Sequence, residues 1–166
     1  MKVKEYEQTL QTPLREATIL LLLRDNEVLL AMKKRGFGMG KWNGVGGKPN
    51  LGEDMRTTAI RECKEEIVVT PMDIKEMAVL TYIHQLTEKS WGMKVNVYVA
   101  TTWEGEPVET EEMKPKWFKL EDVPYSEMWL DDILWMPKVF AGKFVKGSFM
   151  FGENEELVDH YLATSD

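Results

Sequence analysis

Cysteine is almost absent from these 166 residues: Cys63 stands alone. One thiol cannot form an internal disulfide, so no disulfide framework holds this chain, and a reducing, cytoplasmic setting is expected. Long apolar runs are missing too. No stretch reaches the roughly eighteen consecutive apolar residues that a membrane-spanning helix needs. Residues 1–16 lack the basic, apolar and small-residue order of a secretory signal. Excess positive charge is also missing, since 21 Lys and Arg against 28 Asp and Glu leave a net charge of −7. That balance argues against a stable nucleic-acid partner, and any anionic ligand would have to be met by local cations or a metal. Repeats, linkers and low-complexity tracts are absent. The composition that remains, 43% hydrophobic and 30% charged, suits one globular domain over residues 1–166 with a substantial core.

In place of these the chain has strand-like patterning around two helical stretches. Residues 17–23 hold the run Thr18-Ile19-Leu20-Leu21-Leu22-Leu23, suited to a strand buried on both faces. Residues 24–27 read as a turn and 28–32 as the returning strand. Residues 1–16 are polar and weakly patterned, an arm laid on the surface or a flexible one. Further strands are expected over 74–86 and 95–102, joined through Lys89-Ser90-Trp91-Gly92, and over 117–120. A closing hairpin is expected from 144–151 and 157–162 across Gly152-Glu153-Asn154. One helix should start at Asp54 or Glu53, either of which can cap it, and run to Ile67 with Ala59, Cys63 and Ile67 on one packing stripe. A second should follow Asp131 or Asp132 as far as Phe140, although Pro137 sits awkwardly in it. Strands flanking two helices indicate α/β or α+β architecture.

The chemistry concentrates in Gly47-Lys48-Pro49-Asn50-Leu51-Gly52-Glu53 and the helical Arg61-Glu62-Cys63-Lys64-Glu65-Glu66. At about 100° per residue, Glu62, Glu65 and Glu66 lie on one helical face. Like charges three and four apart repel by about 0.2–0.5 kcal/mol per pair. A divalent cation would turn that repulsion into attraction, because carboxylate oxygens are what Mg²⁺ takes. A lone E-x-x-E-E could equally be a solvated acidic face. Just upstream, Lys33-Lys34-Arg35-Gly36-Phe37-Gly38-Met39-Gly40-Lys41 is basic and glycine-rich, either a phosphate-holding loop or a solvated turn.

The spacing G-x5-E-x7-R-E-U-x-E-E, with Cys63 at the apolar position U, resembles the signature of the Nudix hydrolases: Gly47, Glu53, Arg61, Glu62, Glu65 and Glu66 are all in register. The resemblance implies an α/β/α sandwich around a mixed central β-sheet, and attack on a diphosphate linkage. It also implies a site in which Gly47, Glu62, Glu65 and Glu66 hold Mg²⁺, with Mn²⁺ as a substitute. One position departs: where the signature places glycine, this chain has Val68. A left-handed helix cap is unfavourable for a β-branched residue, so the helix is expected to end by another route before Pro71.

Three further segments resemble the oxidised-purine nucleoside triphosphatases of that superfamily. They are residues 33–44, Glu112-Met113-Lys114-Pro115-Lys116-Trp117-Phe118, and Met128-Trp129-Leu130-Asp131-Asp132, where Leu130 replaces a proline. The resemblance implies that Asn43, Asp131 and Asp132 read the base edge and that Trp129 and Phe37 flank the base. It also implies that Thr18 and Lys33 line the pocket, and that Glu112 stands near the metal. Tyr82 and His84 are expected in the same cleft. An asparagine amide both donates and accepts, which suits a purine edge. Two adjacent, desolvated aspartates cannot easily both ionise, so one would donate while the other accepts; helix capping is the alternative use for the same pair. The expected reaction is Mg²⁺-dependent hydrolysis of 8-oxo-dGTP or 2-hydroxy-dATP to a nucleoside monophosphate and pyrophosphate, by a monomer. Glu65, Glu66 or Glu112 would serve as base, Arg61 would orient a helix carboxylate, and Glu53 would sit near the metal-binding group or organise the loop. A Nudix hydrolase of a methylated purine nucleotide or cap, or a non-catalytic nucleotide-binding module, is the competing expectation.

Overall fold

A computed structural model describes residues 2–8, 10, 14–85 and 91–166. After a short helix α1 (Val3–Glu7), strands β1 (Arg15–Arg24) and β2 (Glu27–Lys33) form a hairpin that leads to β3 (Trp42–Asn43). Helix α2 (Met55–Ile67) follows, then β4 (Thr70–Met72), β5 (Lys75–His84), β6 (Trp91–Ala100), β7 (Thr102–Glu104) and β8 (Met113–Lys119). Two 3₁₀ turns precede α3 (Asp132–Phe140), and β9 (Phe144–Phe151) with β10 (Leu157–Ser165) closes the chain. Eight strands make one sheet in the order β10-β9-β5-β6-β1-β2-β3, with β8 also pairing β2. Strands β1 and β6, and β5 and β9, run parallel while the other pairs are antiparallel, so the sheet is mixed as expected. Strands β4 and β7 form a separate two-stranded ribbon.

The apolar run in β1 is buried on both faces. Leu21 joins Trp135, Met136 and Val139 of α3 on one side, while Leu20 and Leu22 join Ala59, Cys63 and Ile67 of α2 on the other. Burying a Leu or Ile side chain contributes about 1.5–3 kcal/mol, so this double burial packs α2 on one face of β1 and places its other face in the cluster that α3 joins from β9. The sandwich therefore follows from the period-two alternation of β1. Helix α1 covers a third strip, where Val3 packs with Ile83 and Met150. It is tied there by Val3 N donating to Asp159 Oδ2 at 2.7 Å and by Ser148 Oγ donating to Glu7 at 2.8 Å. Residues 3–7 thus lie against β9 and β10. No helix among the described residues is long and apolar enough to cross a membrane.

Several boundaries differ from the sequence reading. Trp91 and Gly92 belong to β6 rather than to the connection before it, and Lys89 and Ser90 lie outside the described residues. Strand β8 begins at Met113 and runs through Pro115, which is tolerated because β8 pairs only β2 and leaves its other edge open. Helix α3 starts at Asp132 and carries Pro137 past its first turn. Asp54, not Glu53, caps α2, accepting from Thr57 N at 2.8 Å.

The sharpest correction concerns Val68. Helix α2 does end in a left-handed cap at this residue, with φ 62° and ψ 35°, and Val68 N donates to Lys64 O at 3.0 Å. The cap closes the helix in spite of the β-branched side chain because the chain must turn at once into β4, and the Val68 side chain is left outside at 53% exposure. A left-handed L-residue costs about 1–2 kcal/mol, and glycine's extra freedom in the unfolded chain returns about half of that. Val68→Gly is therefore expected to stabilise the fold by about 0.5–1 kcal/mol and raise the melting temperature by about 1–4 °C. Thermal unfolding of the two proteins checks this, and a lower melting temperature in the glycine variant would contradict it.

Candidate active site

Residues 44–47 lie against β1, with Leu20 N donating to Val45 O at 2.6 Å and Thr18 N donating to Gly47 O at 2.9 Å. The approach leaves no room for side chains. A Cβ on Gly46 would collide with the Thr18 carbonyl, and one on Gly47 would lie 2.5 Å from the Glu62 carboxyl carbon. At Gly46, which faces backbone, glycine is required by contact rather than by backbone torsion, whereas at Gly47 the Glu62 carboxyl would have to shift. Glu66 is thereby drawn under the glycines: it is 2% exposed, its Oε1 accepts from Gly46 N at 3.1 Å, and its Oε2 has no partner. Burial raises its pKa to about 8 against the pull of the Gly46 amide, helped by the like charges of Glu62 and Glu112.

Arg61 holds the rest of the acidic face. Its Nε and Nη2 grip Glu53 at 2.8 and 2.9 Å, its Nη1 reaches Glu62 at 2.8 Å and Glu65 at 3.2 Å, and Nη2 also donates to Lys48 O at 3.1 Å. Glu53 accepts in addition from Thr58 Oγ1 at 2.6 Å and Asn50 N at 3.1 Å. The Arg61 fork, then Thr58, bring the Glu53 carboxyl down to about 2. Arg61 and Glu53 thus form a bidentate brace between the loop and α2. Glu65 is 56% exposed, and Glu112 is half exposed and pairs with Arg35 at 3.4 Å.

Among the described residues no three acidic, histidine or cysteine side chains already converge as a metal cage. Glu62 and Glu65 turn instead toward Arg61, the nearest available positive charge. The donor set nonetheless suits a hard divalent cation. It offers the Glu62 and Glu66 carboxylates, a buried Glu66 oxygen without a partner, and the Gly47 carbonyl that now accepts from Thr18 N and, at 3.3 Å, Thr18 Oγ1.

From this corner a cleft of about 230 Å³ runs along the sheet. Thr18, Gly46, Gly47 and Lys48 line one part, while Lys33, Phe37, Asn43, Tyr82, His84, Trp129, Asp131 and Asp132 line the remainder. Asp131 and Asp132 are 0% and 2% exposed. Neither caps α3: the Asp131 side chain makes no cap bond. Asp131 Oδ2 accepts from Tyr82 OH at 2.6 Å and Trp135 Nε1 at 2.9 Å, and Asp132 Oδ1 accepts from the same Trp135 Nε1 at 3.2 Å. Asp131 Oδ1 and Asp132 Oδ2 are buried without partners among the described residues. Burial raises both pKa values, that of Asp132 further because the Asp131 charge adds to it. Asn43 Oδ1 accepts from Gly44 N at 2.8 Å, which leaves its amide nitrogen for other contacts. Phe37 and Trp129 stack on each other at 5.2 Å and 27°, and Lys41 Nζ lies 5.0 Å from the Trp129 ring centre. His84 stacks on Trp91 at 4.2 Å, and burial lowers its pKa.

The structure thus brings Thr18, Lys33, Phe37, Asn43, Gly47, Trp129, Asp131 and Asp132 to one cleft, with Glu62 and Glu66 beneath its glycine wall. Glu65 and Glu112 are not among its lining residues and are exposed, paired with Arg61 and Arg35. Sequence reasoning missed Trp135, the donor shared by both aspartates. Its offsets of three and four residues from Asp132 and Asp131 on a helix were the available signal. It also missed Thr58, a partner of Glu53, one turn before Glu62.

A carboxyl whose pKa is raised by folding holds its proton more tightly in the folded chain than in the unfolded one. For Glu66 that stabilisation is whole below the ordinary value of 4.5 and is lost as pH climbs through about 8. In chelator, the wild-type melting temperature should fall by several degrees between pH 6 and pH 9. Glu66→Gln, which has no charge to bury, should fall clearly less. Parallel curves for the two proteins would refute the assignment of the buried charge to Glu66.

The NUDIX domain family profile matches residues 13–139. The chain is 40% identical over 145 residues to the oxidized purine nucleoside triphosphate hydrolase of Danio rerio, covering 87% of this chain and 92% of that protein. The Mus musculus protein of the same name is 35% identical over 149 residues, covering 90% and 94%. Among solved structures, the mutator MutT protein from Bacillus halodurans superposes with a TM-score of 0.81 at 26% identity, over 90% of this chain and 97% of that one. With the signature acids gathered at one glycine-walled corner and a domain match over most of its length, this chain belongs to the Nudix family.

Proposed function

We propose that this protein hydrolyses oxidised purine nucleoside triphosphates to the nucleoside monophosphate and pyrophosphate, clearing damaged bases from the nucleotide pool. One observation carries the reading. A single cleft joins the acid-backed Gly46-Gly47 corner to a base-sized slot whose far wall holds two buried aspartates with open oxygens. The names of the two relatives in fish and mouse support the same substrate class.

In this reading Glu62, Glu66 and the Gly47 carbonyl hold Mg²⁺, for which Mn²⁺ can substitute. The cation, when bound, neutralises the triphosphate and stabilises charge on the phosphoryl oxygens, an effect of several kcal/mol. Arg61, braced by Glu53, keeps the helix carboxylates aimed at that corner. Lys33, Lys41 and Lys48 offset the anionic tail along the cleft. Glu65 and Glu112, exposed and outside the buried pair, are the carboxylates able to take a proton from the attacking water. A general base contributes about 10²–10⁴-fold. Phe37 and Trp129 part to admit the base, and aromatic stacking contributes about 1–3 kcal/mol. Asn43, Asp131 and Asp132 meet its edge. The reading carries with it a monomer in a reducing cytoplasm, consistent with a lone cysteine, Cys63, that is buried and whose thiol pKa burial pushes up to about 12.

Pyrophosphate release across a panel of oxidised, methylated and ordinary nucleoside triphosphates tests the substrate class. Oxidised purines should give the highest kcat/KM, with activity lost in chelator and restored by Mg²⁺. A methylated or unmodified nucleotide at the top of the ranking would replace the reading. Glu62→Gln should lower kcat by about 10²-fold or more while melting within a few degrees of the wild type; unchanged turnover would remove the acidic helix from the chemistry. Comparing Glu65→Gln with Glu112→Gln identifies the base as the variant that loses more of kcat.

A further inference from the structure

Tyr82 is the one phenol of the described residues whose hydroxyl reaches the aspartate pair, at 2.6 Å from Asp131 Oδ2. That same oxygen accepts from Trp135 Nε1 at 2.9 Å, whereas the one side-chain donor to Asp132 is the longer branch of that indole N–H, at 3.2 Å, beside a backbone contact from Trp129. The two carboxyls are therefore not equivalent. A carboxylate that accepts two donors on one oxygen is stabilised as an anion, and its buried neighbour, with fewer donors and a like charge beside it, keeps a proton. Tyr82 is able to hold this arrangement because its ring is fixed by stacking on Phe149 at 5.5 Å and 27°. Trp135 is fully buried and cannot turn away. The burial of Tyr82 and the two adjacent aspartates raise the phenol pKa well above its ordinary value, so the hydroxyl donates and does not ionise. The other groups around the pair are the Tyr125 phenol, pushed up to about 12 by burial and by Asp132, and Lys33 and Lys41 along the cleft.

We propose that the Tyr82 hydroxyl is a positioning group that sets base specificity. With the Trp135 N–H it keeps Asp131 ionised and places the shared proton on Asp132. The cleft then offers a base an acceptor at Asp131 Oδ1 and a donor at Asp132 Oδ2, in one fixed order. A 6-oxopurine edge, with N1–H beside a carbonyl, and a 6-aminopurine edge, with a bare N1 beside an amine, present opposite orders. A pair with a locked proton accepts one of them in a given orientation and rejects the other. A pair free to exchange its proton would take both.

The kinetic part of the test rests on the proposed nucleotide hydrolysis; the spectroscopic part does not. In ¹³C-aspartate-labelled protein without nucleotide, carboxyl NMR signals assigned with the Asp131→Asn and Asp132→Asn variants should show Asp132 neutral and Asp131 ionised at pH 7. Tyr82→Phe should move both signals toward equal occupancy. A proton on Asp131, or equal sharing in the wild type, overturns the proposal whatever the enzyme hydrolyses. In turnover, wild type should separate 8-oxo-dGTP from 8-oxo-dATP, whose N1 is bare beside the 6-amine, in kcat/KM, and Tyr82→Phe should shrink that ratio by about tenfold, through KM more than kcat. Trp135→Phe should shift the ratio in the same direction. If wild type cleaves neither nucleotide, the functional reading fails and the NMR result still decides the proton's place. If it cleaves them with a ratio that Tyr82→Phe leaves unmoved, only the role of Tyr82 falls.

Discussion

The contact between the glycine segment 44–47 and its neighbours decides most of what this protein can do. Gly46 presses on the Thr18 carbonyl, at a distance that admits no side chain, and Gly47 on the Glu62 carboxyl, which a side chain there would displace. That contact forces three things at once. It fixes β1 against the entry to α2, it buries Glu66 beneath an amide that supplies only one hydrogen bond, and it turns the Gly47 carbonyl toward Thr18. The result is a corner rich in oxygen and short of positive charge. Arg61 relieves part of the repulsion but is spent mainly on Glu53, its bidentate partner. A fold that leaves a buried carboxylate oxygen unpartnered pays a few kcal/mol for it, which is tolerable when a cation supplies the missing partner.

The second carboxylate centre, at Asp131 and Asp132, is built by a different logic. Its charge is compensated by neutral donors, Tyr82 and Trp135, and not by a guanidinium or an amide. Neutral donors hold one negative charge but not two, so under the proposed assignment the pair keeps a proton where the helix acids would take a metal. The open oxygens that result have opposite uses. Under the proposed assignments the free oxygen of Glu66 would meet a cation, whereas at the aspartate pair one free oxygen would accept and the other donate. Under those assignments a ligand with a metal-bound anionic tail at one end and a hydrogen-bonding heterocycle at the other would satisfy both, and neither a simple polyphosphate nor a free base would.

Spacing made the acid corner legible in the sequence, because Gly47, Glu53, Arg61, Glu62, Glu65 and Glu66 depend on one loop and one helix, where distance along the chain maps directly onto space. The double burial of β1 was legible for the same reason, since alternation is local. The base end was reachable only through resemblance, as Asn43, Tyr82 and Asp131 come from three strands and loops far apart in the chain. Residues that act through others, Trp135 above all, left only a helical offset that means nothing until the aspartates have a role. Val68 shows how local preference fails: its propensity argues against a left-handed cap, but the tight passage from α2 into β4 demands one, and tertiary geometry wins. The aspartates show the converse, for their local propensity to cap α3 is overridden by donors that arrive from β5 and from within the helix.

The N-terminal arm extends the same reasoning to the wall of the cleft. In the parallel pairing of β5 with β9, Tyr82 stands opposite Phe149, Ile83 opposite Met150 and His84 opposite Phe151. Alternation sends Tyr82, His84, Phe149 and Phe151 to the face that includes the cleft and leaves Ile83 and Met150 on the reverse. Val3 packs on that reverse side, with Tyr6 and Leu10 beside it, and Asp159 and Ser148 fasten the short helix to β10 and β9. The arm therefore sits directly behind the strands that carry the Tyr82 hydroxyl. A hydrogen bond of 2.6 Å between groups borne by different elements survives only if the strand beneath it cannot shift by a few tenths of an ångström. Covering Ile83 and Met150 supplies that stiffness, at the point of the sheet which α2 does not reach.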